Sequence, residues 1–100
     1  MPKQIPCTLP SHEGEWIEMR PKISIGQWHQ WRTDNTYEGT QRMVLDFVSN
    51  WTITGADGQP APKTSDGVKA LDALDVETWP WLLRAIQDEI LDRMTLHPQT

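Results

Sequence analysis

The sequence predicts an α+β fold: a small, mainly helical single domain with a short N-terminal β-strand or hairpin and a long C-terminal amphipathic helix. The chain has 100 residues, a length that suits one domain. Residues 15–20 alternate between polar and apolar side chains, as a half-buried strand does. Apolar residues recur at helical spacing over residues 79–94, which is typical of an amphipathic helix.

Residues 1–14 are expected to form an extended arm, and residues 15–96 the single globular domain. Pro2, Pro6 and Pro10 block a helix in this arm and limit strand pairing to the edge of a sheet. A short edge strand is expected over residues 5–9. Two alternatives remain for the arm, because it could be a loose tail or a segment that reaches onto a neighbouring subunit.

Residues 15–20 are predicted to form a strand, paired with the arm as a hairpin, because Trp16 and Ile17 favour β-structure. Pro21 ends this strand. Ser24 is a suitable N-cap for a short helix over residues 25–32. One side of that helix is expected to carry Ile25, Trp28 and Trp31.

The centre of the chain is predicted to be a helix over residues 37–51, capped by Thr36 or Thr40. Its apolar face consists of Met43, Val44, Phe47, Val48 and Trp51. A short strand over residues 51–54 and a loop are expected to follow. That loop turns at Asp57-Gly58, where glycine tolerates a positive φ angle.

Two more helices are predicted in the last third of the chain. Ser65 is expected to cap a helical turn that extends to Leu71, with Val68 and Leu71 inward. The last helix is expected to be capped by Thr78, because Asp75 as the cap would place Pro80 too deep in the helix. Its apolar positions are Trp79, Leu82, Leu83, Ile86, Ile90 and Met94. Glu89 and Arg93 are expected to form an i,i+4 ion pair on its polar face.

Tryptophan is the unusual component of the composition, with 6 Trp against 1 Phe and 1 Tyr. Its large apolar area and single N–H donor serve both small cores and protein interfaces. The expected core consists of Trp16, Ile17, Met43, Val44, Phe47, Val48, Trp51, Val68, Leu71, Leu82, Leu83, Ile86 and Ile90. The expected contacts with a partner are Trp28, Trp31, Trp79 and Trp81.

The net charge of −5 argues against two classes of partner. The chain has no basic stripe that could release counterions from nucleic acid, and it would be repelled by an anionic membrane surface. Residues 1–15 do not resemble a signal peptide, and no apolar run in the sequence is long enough to cross a membrane. The expected location is therefore the cytoplasm of the cell that makes the protein.

No constellation of residues predicts an active site, a metal site or a cofactor. His12, His29 and His97 lie in different contexts, and no Cys or His spacing is typical of zinc. Cys7 and His29 could in principle form a nucleophile and base, but a Pro-rich arm is a poor place to hold one. The acidic residues Asp72, Asp75, Glu77, Asp88, Glu89 and Asp92 are interpreted as a solvated face and as charge that complements a helix N-terminus.

Two stretches of the chain carry a resemblance to known proteins. The first is Gly14-Glu15-Trp16-Ile17-Glu18-Met19-Arg20-Pro21-Lys22, continued by Ile23-Ser24-Ile25-Gly26. The second is Ser49-Asn50-Trp51-Thr52-Ile53-Thr54-Gly55, continued by Asp57-Gly58-Gln59-Pro60-Ala61-Pro62 and Leu71-Asp72-Ala73-Leu74. In this order they resemble small proteins encoded in the tail gene clusters of actinobacterial bacteriophages, over most of residues 12–92. The segment Trp28-His29-Gln30-Trp31 departs from that pattern, in which charged residues are expected.

The resemblance implies a non-enzymatic morphogenesis protein that needs no cofactor. A tail assembly chaperone would bind the tape measure protein and the tail tube protein in the host cytoplasm, and it could form a homo-oligomer. The alternative is a structural component of the virion, such as a head–tail connector, a capsid decoration protein or a minor tail subunit. The Pro-rich arm favours this alternative, because such arms commonly tie neighbouring subunits together. A third option is a small regulatory or inhibitor protein of a phage.

Overall fold

The computed structural model describes the backbone of residues 3–34 and 36–96 and the side chains of residues 3–34 and 36–94. These residues form four α-helices and a three-stranded antiparallel sheet, which confirms the predicted α+β class. The C-terminal helix is the longest of the four, as the sequence predicts. His97 and the first two residues of the arm lie outside the described part of the chain.

The sheet consists of β1 (Gln4–Pro6), β2 (Trp16–Met19) and β3 (Val48–Trp51), with β2 in the middle. β1 and β2 form the predicted hairpin, in which Ile5 lies opposite Ile17. The strand in the arm is shorter than predicted, because a single turn of 3-10 helix (Pro10–His12) follows it. In the described residues, the arm therefore packs against its own chain.

Each helix begins at a residue whose side chain or neighbour satisfies free backbone N–H groups. α1 (Ile25–Thr33) has the predicted cap, Ser24, and α2 (Tyr37–Phe47) is capped by Thr36. α3 (Ser65–Asp72) is capped by Thr64, one residue before the predicted Ser65, because the Thr64 hydroxyl accepts from the N–H of Gly67. α4 spans Thr78–Leu96.

The cap of α4 differs from the prediction. The Asp75 carboxylate accepts hydrogen bonds from the backbone N–H groups of Glu77 and Thr78. Asp75 therefore provides the hydrogen-bond acceptor for free N–H groups at the start of α4. Asp75 does this from outside the helix, which still begins at Thr78, and Pro80 remains in the first turn.

The central helix ends four residues earlier than predicted, at Phe47, and the chain continues as β3. Val48 and Trp51 are buried in the structure, as the predicted helix also required. Residues three positions apart share one face of a helix, and they can share one face of a strand when the strand is irregular. Pairing with β2 decides between them: Val48 lies opposite Met19, and the pairing shifts between Glu18 and Met19. Backbone hydrogen bonds to a neighbouring strand thus override the local helical pattern.

The core lies between one face of the sheet and the helices, with α2 in contact with the other three helices and with β3. Most of the predicted core residues are buried there: Ile17, Met43, Val44, Phe47, Val48, Trp51, Val68, Leu71, Leu82, Ile86 and Ile90. The same core contains four buried residues that the prediction left out: Met19, Trp28, Ile53 and Ala61. The indole Nε1 of Trp51 donates to the carbonyl oxygen of Ala61 at 2.8 Å, which fixes the loop over the core.

Two predicted core residues are placed differently. Trp16 is half-buried and lies opposite Pro6, on the face of the sheet that is turned away from Ile17. Leu83 is half-buried at the margin of the core. Ile25 and Met94 also lie more in solvent than their helical positions predict, since 48% and 41% of their surfaces are exposed.

Candidate functional site

The four tryptophans predicted to contact a partner are not equally accessible. Trp28 is buried in the core, with 3% of its surface exposed, so it is not a free contact surface in this structure. Its ring lies 4.9 Å from that of Trp31, and the guanidinium of Arg32 lies 5.8 Å from the Trp28 ring. Trp31, Trp79 and Trp81 are half-buried and pack at the margin of the core. These three therefore keep part of their surface accessible.

Trp81 lies in a groove between β1 and α4, which we call the β1–α4 groove. Its apolar wall comprises Ile5 and Pro6 from β1 and Trp81 and Ala85 from α4. The groove has a volume of about 500 Å³ and is open to solvent on one side. A space of this size holds a few large side chains of a ligand.

The two walls of the groove have similar lengths. Along α4, lining residues extend from Trp81 to Asp92, which corresponds to about 16 Å at the rise of an α-helix. Along β1 and the residues that flank it, they extend from Lys3 to Thr8, at most about 17 Å if all of this segment were as extended as a strand. The groove is therefore a trough of about three helical turns.

An ionic cluster connects the two walls at one end of the groove. The Glu89 carboxylate accepts from Nζ of Lys3 and from Nε of Arg93, each at 2.8 Å. Arg93 also donates to the carbonyl oxygen of Arg20, which follows β2. Glu89 and Arg93 form the predicted pair, but Glu89 is only 7% exposed and does not lie on a solvated face.

The pKa of Glu89 reflects this cluster. Burial by itself raises the pKa of the carboxyl, but the hydrogen bonds from Lys3 and Arg93 outweigh that effect and hold the pKa below its usual value. The Lys3 ammonium is stabilised in return, because its hydrogen bond to Glu89 raises its pKa. Both groups therefore carry their charges at neutral pH.

A second polar cluster joins the hairpin to the N-terminal end of α4. His12 is 3% exposed, and its Nδ1 lies 2.8 Å from Oε1 of Glu15. Its Nε2 lies 2.9 Å from Oγ1 of Thr78, the first residue of α4. Thr78 in turn donates to Oδ2 of Asp75. The Glu15 carboxylate also accepts from the backbone N–H of Thr54 at 2.7 Å.

The carboxyls of this cluster are ionised. Burial would raise the pKa of Glu15, but hydrogen bonds from the backbone N–H of Thr54 and from His12 outweigh it and lower the pKa. The N–H of Thr78 lowers the pKa of Asp75. The cluster is thus a satisfied network, since no described buried side-chain N or O atom lacks a hydrogen-bond partner.

The order Glu15, His12, Thr78 matches the acid, base and hydroxyl of a nucleophilic enzyme. Thr78 is buried, with 1% of its surface exposed. Its hydroxyl also contacts Asp75, which holds it at the start of the helix. In the folded chain this buried hydroxyl joins the hairpin to α4 through its contact with His12.

Cys7 and His29 do not form the nucleophile and base considered from the sequence. Cys7 is half-buried, and burial raises the pKa of its thiol, which is the opposite of what an activated nucleophile requires. His29 is exposed on α1. Among the described residues, no group of three or more His, Cys, Asp or Glu side chains is placed to hold a metal ion.

A second, smaller cavity of about 330 Å³ lies between α1 and α4. Trp28, Trp31 and Leu83 line it, together with polar residues such as Gln87. It lacks a long apolar wall, and Trp28 contributes only a small exposed area. The β1–α4 groove is accordingly the stronger candidate for binding.

Sequence reasoning missed the residues that frame this groove. Lys3 and His12 lie in the segment that the sequence predicts to be a polar arm. The spacing of His12 and Glu15 does suit a turn in which their side chains meet. Nothing local indicates that Lys3 reaches Glu89, because the two are distant in the sequence. Only the hairpin brings them together.

No family model matches the chain, and comparisons with curated proteins and with solved structures gave no match. Within the described residues, none of the helices combines the length and the apolar character needed to span a membrane.

Proposed function

We propose that this chain is a non-enzymatic bacteriophage morphogenesis protein, a tail assembly chaperone that binds the tape measure and tail tube proteins before they assemble. The observation that carries the proposal is the open β1–α4 groove, with the half-buried Trp81 in its wall. Tryptophan at the edge of an apolar trough is typical of a protein-binding surface. The resemblance of residues 12–92 to proteins of phage tail gene clusters supplies the biological setting.

The distribution of polar groups also supports a binding role. The Glu15, His12 and Thr78 cluster has the residue types of an enzyme site, but it is sealed inside the fold. The groove is accessible and concave, and its wall has apolar and charged residues. Binding of a protein segment requires no more than these features.

The net charge of −5 supports a chaperone in particular. A chaperone that covers the apolar segments of an unassembled partner must itself remain soluble, and mutual repulsion between copies favours this. An acidic chain also attracts basic partners through long-range electrostatics.

The alternative, a structural component of the virion, relied on an N-terminal arm that could tie neighbouring subunits together. Residues 4–6 pair with β2 of their own chain, and Lys3 is held by Glu89. An arm engaged in this way is not available to a neighbour without breaking those contacts. In this proposal, the engagement of the arm with its own chain supports the chaperone over the structural component.

The test compares assembled virions with infected cells of the host that supports the phage encoding this chain. A chaperone is expected to be absent from purified virions in mass spectrometry, while a tagged copy co-purifies with the tape measure protein from infected cells. Presence in virions at a stoichiometric level would refute the proposal and establish the structural alternative. Recovery of neither tail protein with the tagged copy would also refute it.

A further inference from the structure

We propose that the β1–α4 groove binds an amphipathic helix of a partner, and that the basic end of this helix lies beside Asp88 and Asp92. The inference deepens the proposed function and rests on it, because it names the surface and the kind of segment that the chaperone binds. The shape, the strand edge and the charges of the groove carry the argument.

The shape of the groove suits a helix. A trough of about 16 Å accommodates about three turns, and anchors at i, i+4 and i+7 of a helix span about 11 Å. The apolar side chains of Ile5, Trp81 and Ala85 lie along the trough and can receive such anchors. The contacts of His12 with Thr78 and of Lys3 with Glu89 connect the hairpin to α4.

The strand edge disfavours an extended peptide as the occupant. The backbone bonds Met19 N to Lys3 O and Cys7 N to Glu15 O show that odd-numbered residues of β1 face β2. The backbone N–H and C=O groups of Gln4 and the C=O group of Pro6 therefore point away from β2, towards the free edge of the sheet. Pro6 has no N–H to donate there. An added strand would lose a ladder hydrogen bond there, as is typical of protected sheet edges.

The charges of the groove specify the ends of the helix. Arg84 lies near Trp81, whereas Asp88 and Asp92 lie towards the other end, one and two turns further along α4. Neither Asp88 nor Asp92 forms an ion pair in the described part of the chain, whereas Lys3 and Arg93 are held by Glu89. Both carboxylates are exposed and can pair with Lys or Arg of a partner, although Asp92 also lies close enough to Lys3 to contribute to the raised pKa of that ammonium.

The inference can be tested with synthetic peptides and the full chain. The probe is a capped peptide of about 15 residues, with Leu at i, i+4, i+7 and i+11 and three Lys at one end. One control peptide has Glu in place of Lys, and a second has the same composition in an alternating strand pattern. Binding of the probe is expected to shift the amide resonances of Ile5, Ala85 and Asp88 in nuclear magnetic resonance spectra.

The orientation is tested with a spin label on the peptide. A label at the Lys end is expected to broaden the resonances of Asp92 more strongly than those of Trp81, and a label at the other end should do the reverse. Equal broadening at both ends would overturn the proposed orientation. Equal binding of the strand-pattern peptide would overturn the helix itself.

Variants separate the groove from general attraction to an acidic protein. The double variant Asp88→Lys/Asp92→Lys is expected to weaken probe binding by about tenfold or more, because two favourable contacts become repulsive. The matched control is Glu38→Lys/Asp66→Lys, which makes the same change of charge at exposed positions outside the groove. Equal weakening by both double variants would show that the peptide senses only net charge and would overturn the inference.

A second copy of the chain is the competing occupant. Sedimentation velocity of the free protein is expected to give a monomer at the concentrations used for the titration. A dimer that dissociates when the probe peptide is added would show that the groove binds a second copy of the chain. The groove variant also distinguishes the two proposals: if Asp88→Lys/Asp92→Lys still co-purifies with the tape measure protein, the chaperone function stands and the groove inference fails.

Discussion

The side chain of His12 joins two parts of the chain that are 66 residues apart in sequence. One ring nitrogen contacts Glu15 in the same turn, and the other contacts Thr78 at the start of α4. A buried polar group that loses its partner keeps the cost of its desolvation. The contribution of His12 to stability should therefore exceed that of a solvent-exposed histidine.

Replacement of His12 by Ala is expected to lower the free energy of unfolding by about 1–3 kcal/mol, because Thr78 and Glu15 each lose a buried partner. The measurement is urea denaturation followed by tryptophan fluorescence. The matched control is His29→Ala on the exposed side of α1, which should change stability by no more than about 0.5 kcal/mol.

A double-mutant cycle isolates the contact with α4. Thr78→Val removes the hydroxyl while keeping the volume, and we expect a coupling energy with His12→Ala of about 0.5 kcal/mol or more. Additive effects of the two changes would contradict a direct contribution of the His12–Thr78 hydrogen bond.

At the scale of secondary-structure elements, α3 lies unusually close to the loop that precedes it. Gly67 is buried in the first turn of α3, and a Cβ atom added there would overlap the carbonyl oxygen of Pro62. The obstacle is backbone, which cannot rotate away as a flexible side chain can. Glycine at this position therefore serves close packing and not chain flexibility.

Replacement of Gly67 by Ala is expected to destabilise the protein by about 1–3 kcal/mol, because α3 must move away from the loop. The control is Gly26→Ala in α1, where an added Cβ meets only the Ser24 hydroxyl at 3.9 Å. That change should raise stability by about 0.4–1 kcal/mol, since it reduces the freedom of the unfolded chain. Thermal denaturation of both variants shows whether each change lowers or raises the stability. A higher stability of Gly67→Ala would contradict the close approach of α3 to the Pro62 carbonyl oxygen.

At the scale of the whole molecule, polar contacts hold the N-terminal hairpin against α4 at both ends of the groove. One contact is His12 with Thr78, and the other is Lys3 with Glu89. Apolar packing of Ile5 lies between them. The groove thus owes its shape to groups that include the carboxylates of Glu15, Asp75 and Glu89, whose pKa values are lowered in the folded state.

Acid is therefore expected to destabilise the protein. A carboxyl whose pKa is lower in the folded chain contributes stability above its unfolded pKa of about 4, and this contribution is lost as the pH falls through the folded value. The urea midpoint should be nearly constant between about pH 7 and pH 5 and should decrease below about pH 4. In Glu89→Gln the decrease should be smaller, whereas Asp66→Asn, which removes an exposed carboxyl from α3, should retain it. Equal slopes in Glu89→Gln and in the unmodified protein would contradict a contribution from Glu89.

The sequence by itself determined the class of the fold, the hairpin and the approximate positions of all four helices. These features follow from local chemistry: alternation in β2, helical spacing in α4, and the capping ability of Ser24 and Thr36. It also identified Trp51 as a core residue, because Trp51 continues the apolar face of the predicted helix. In the structure the irregular pairing of β3 with β2 keeps Trp51 buried.

Only the tertiary structure decided where α2 ends, which tryptophans are accessible and where the groove lies. Pairing with β2 converts Val48–Trp51 into a strand, although its spacing also fits a helix. Trp16 is half-buried and Trp28 is buried, and this difference depends on which faces of β2 and α1 the neighbouring elements cover. Lys3 meets Glu89, and His12 meets Thr78, through contacts between distant segments. Local patterns cannot specify such contacts, because they depend on how the hairpin docks on α4.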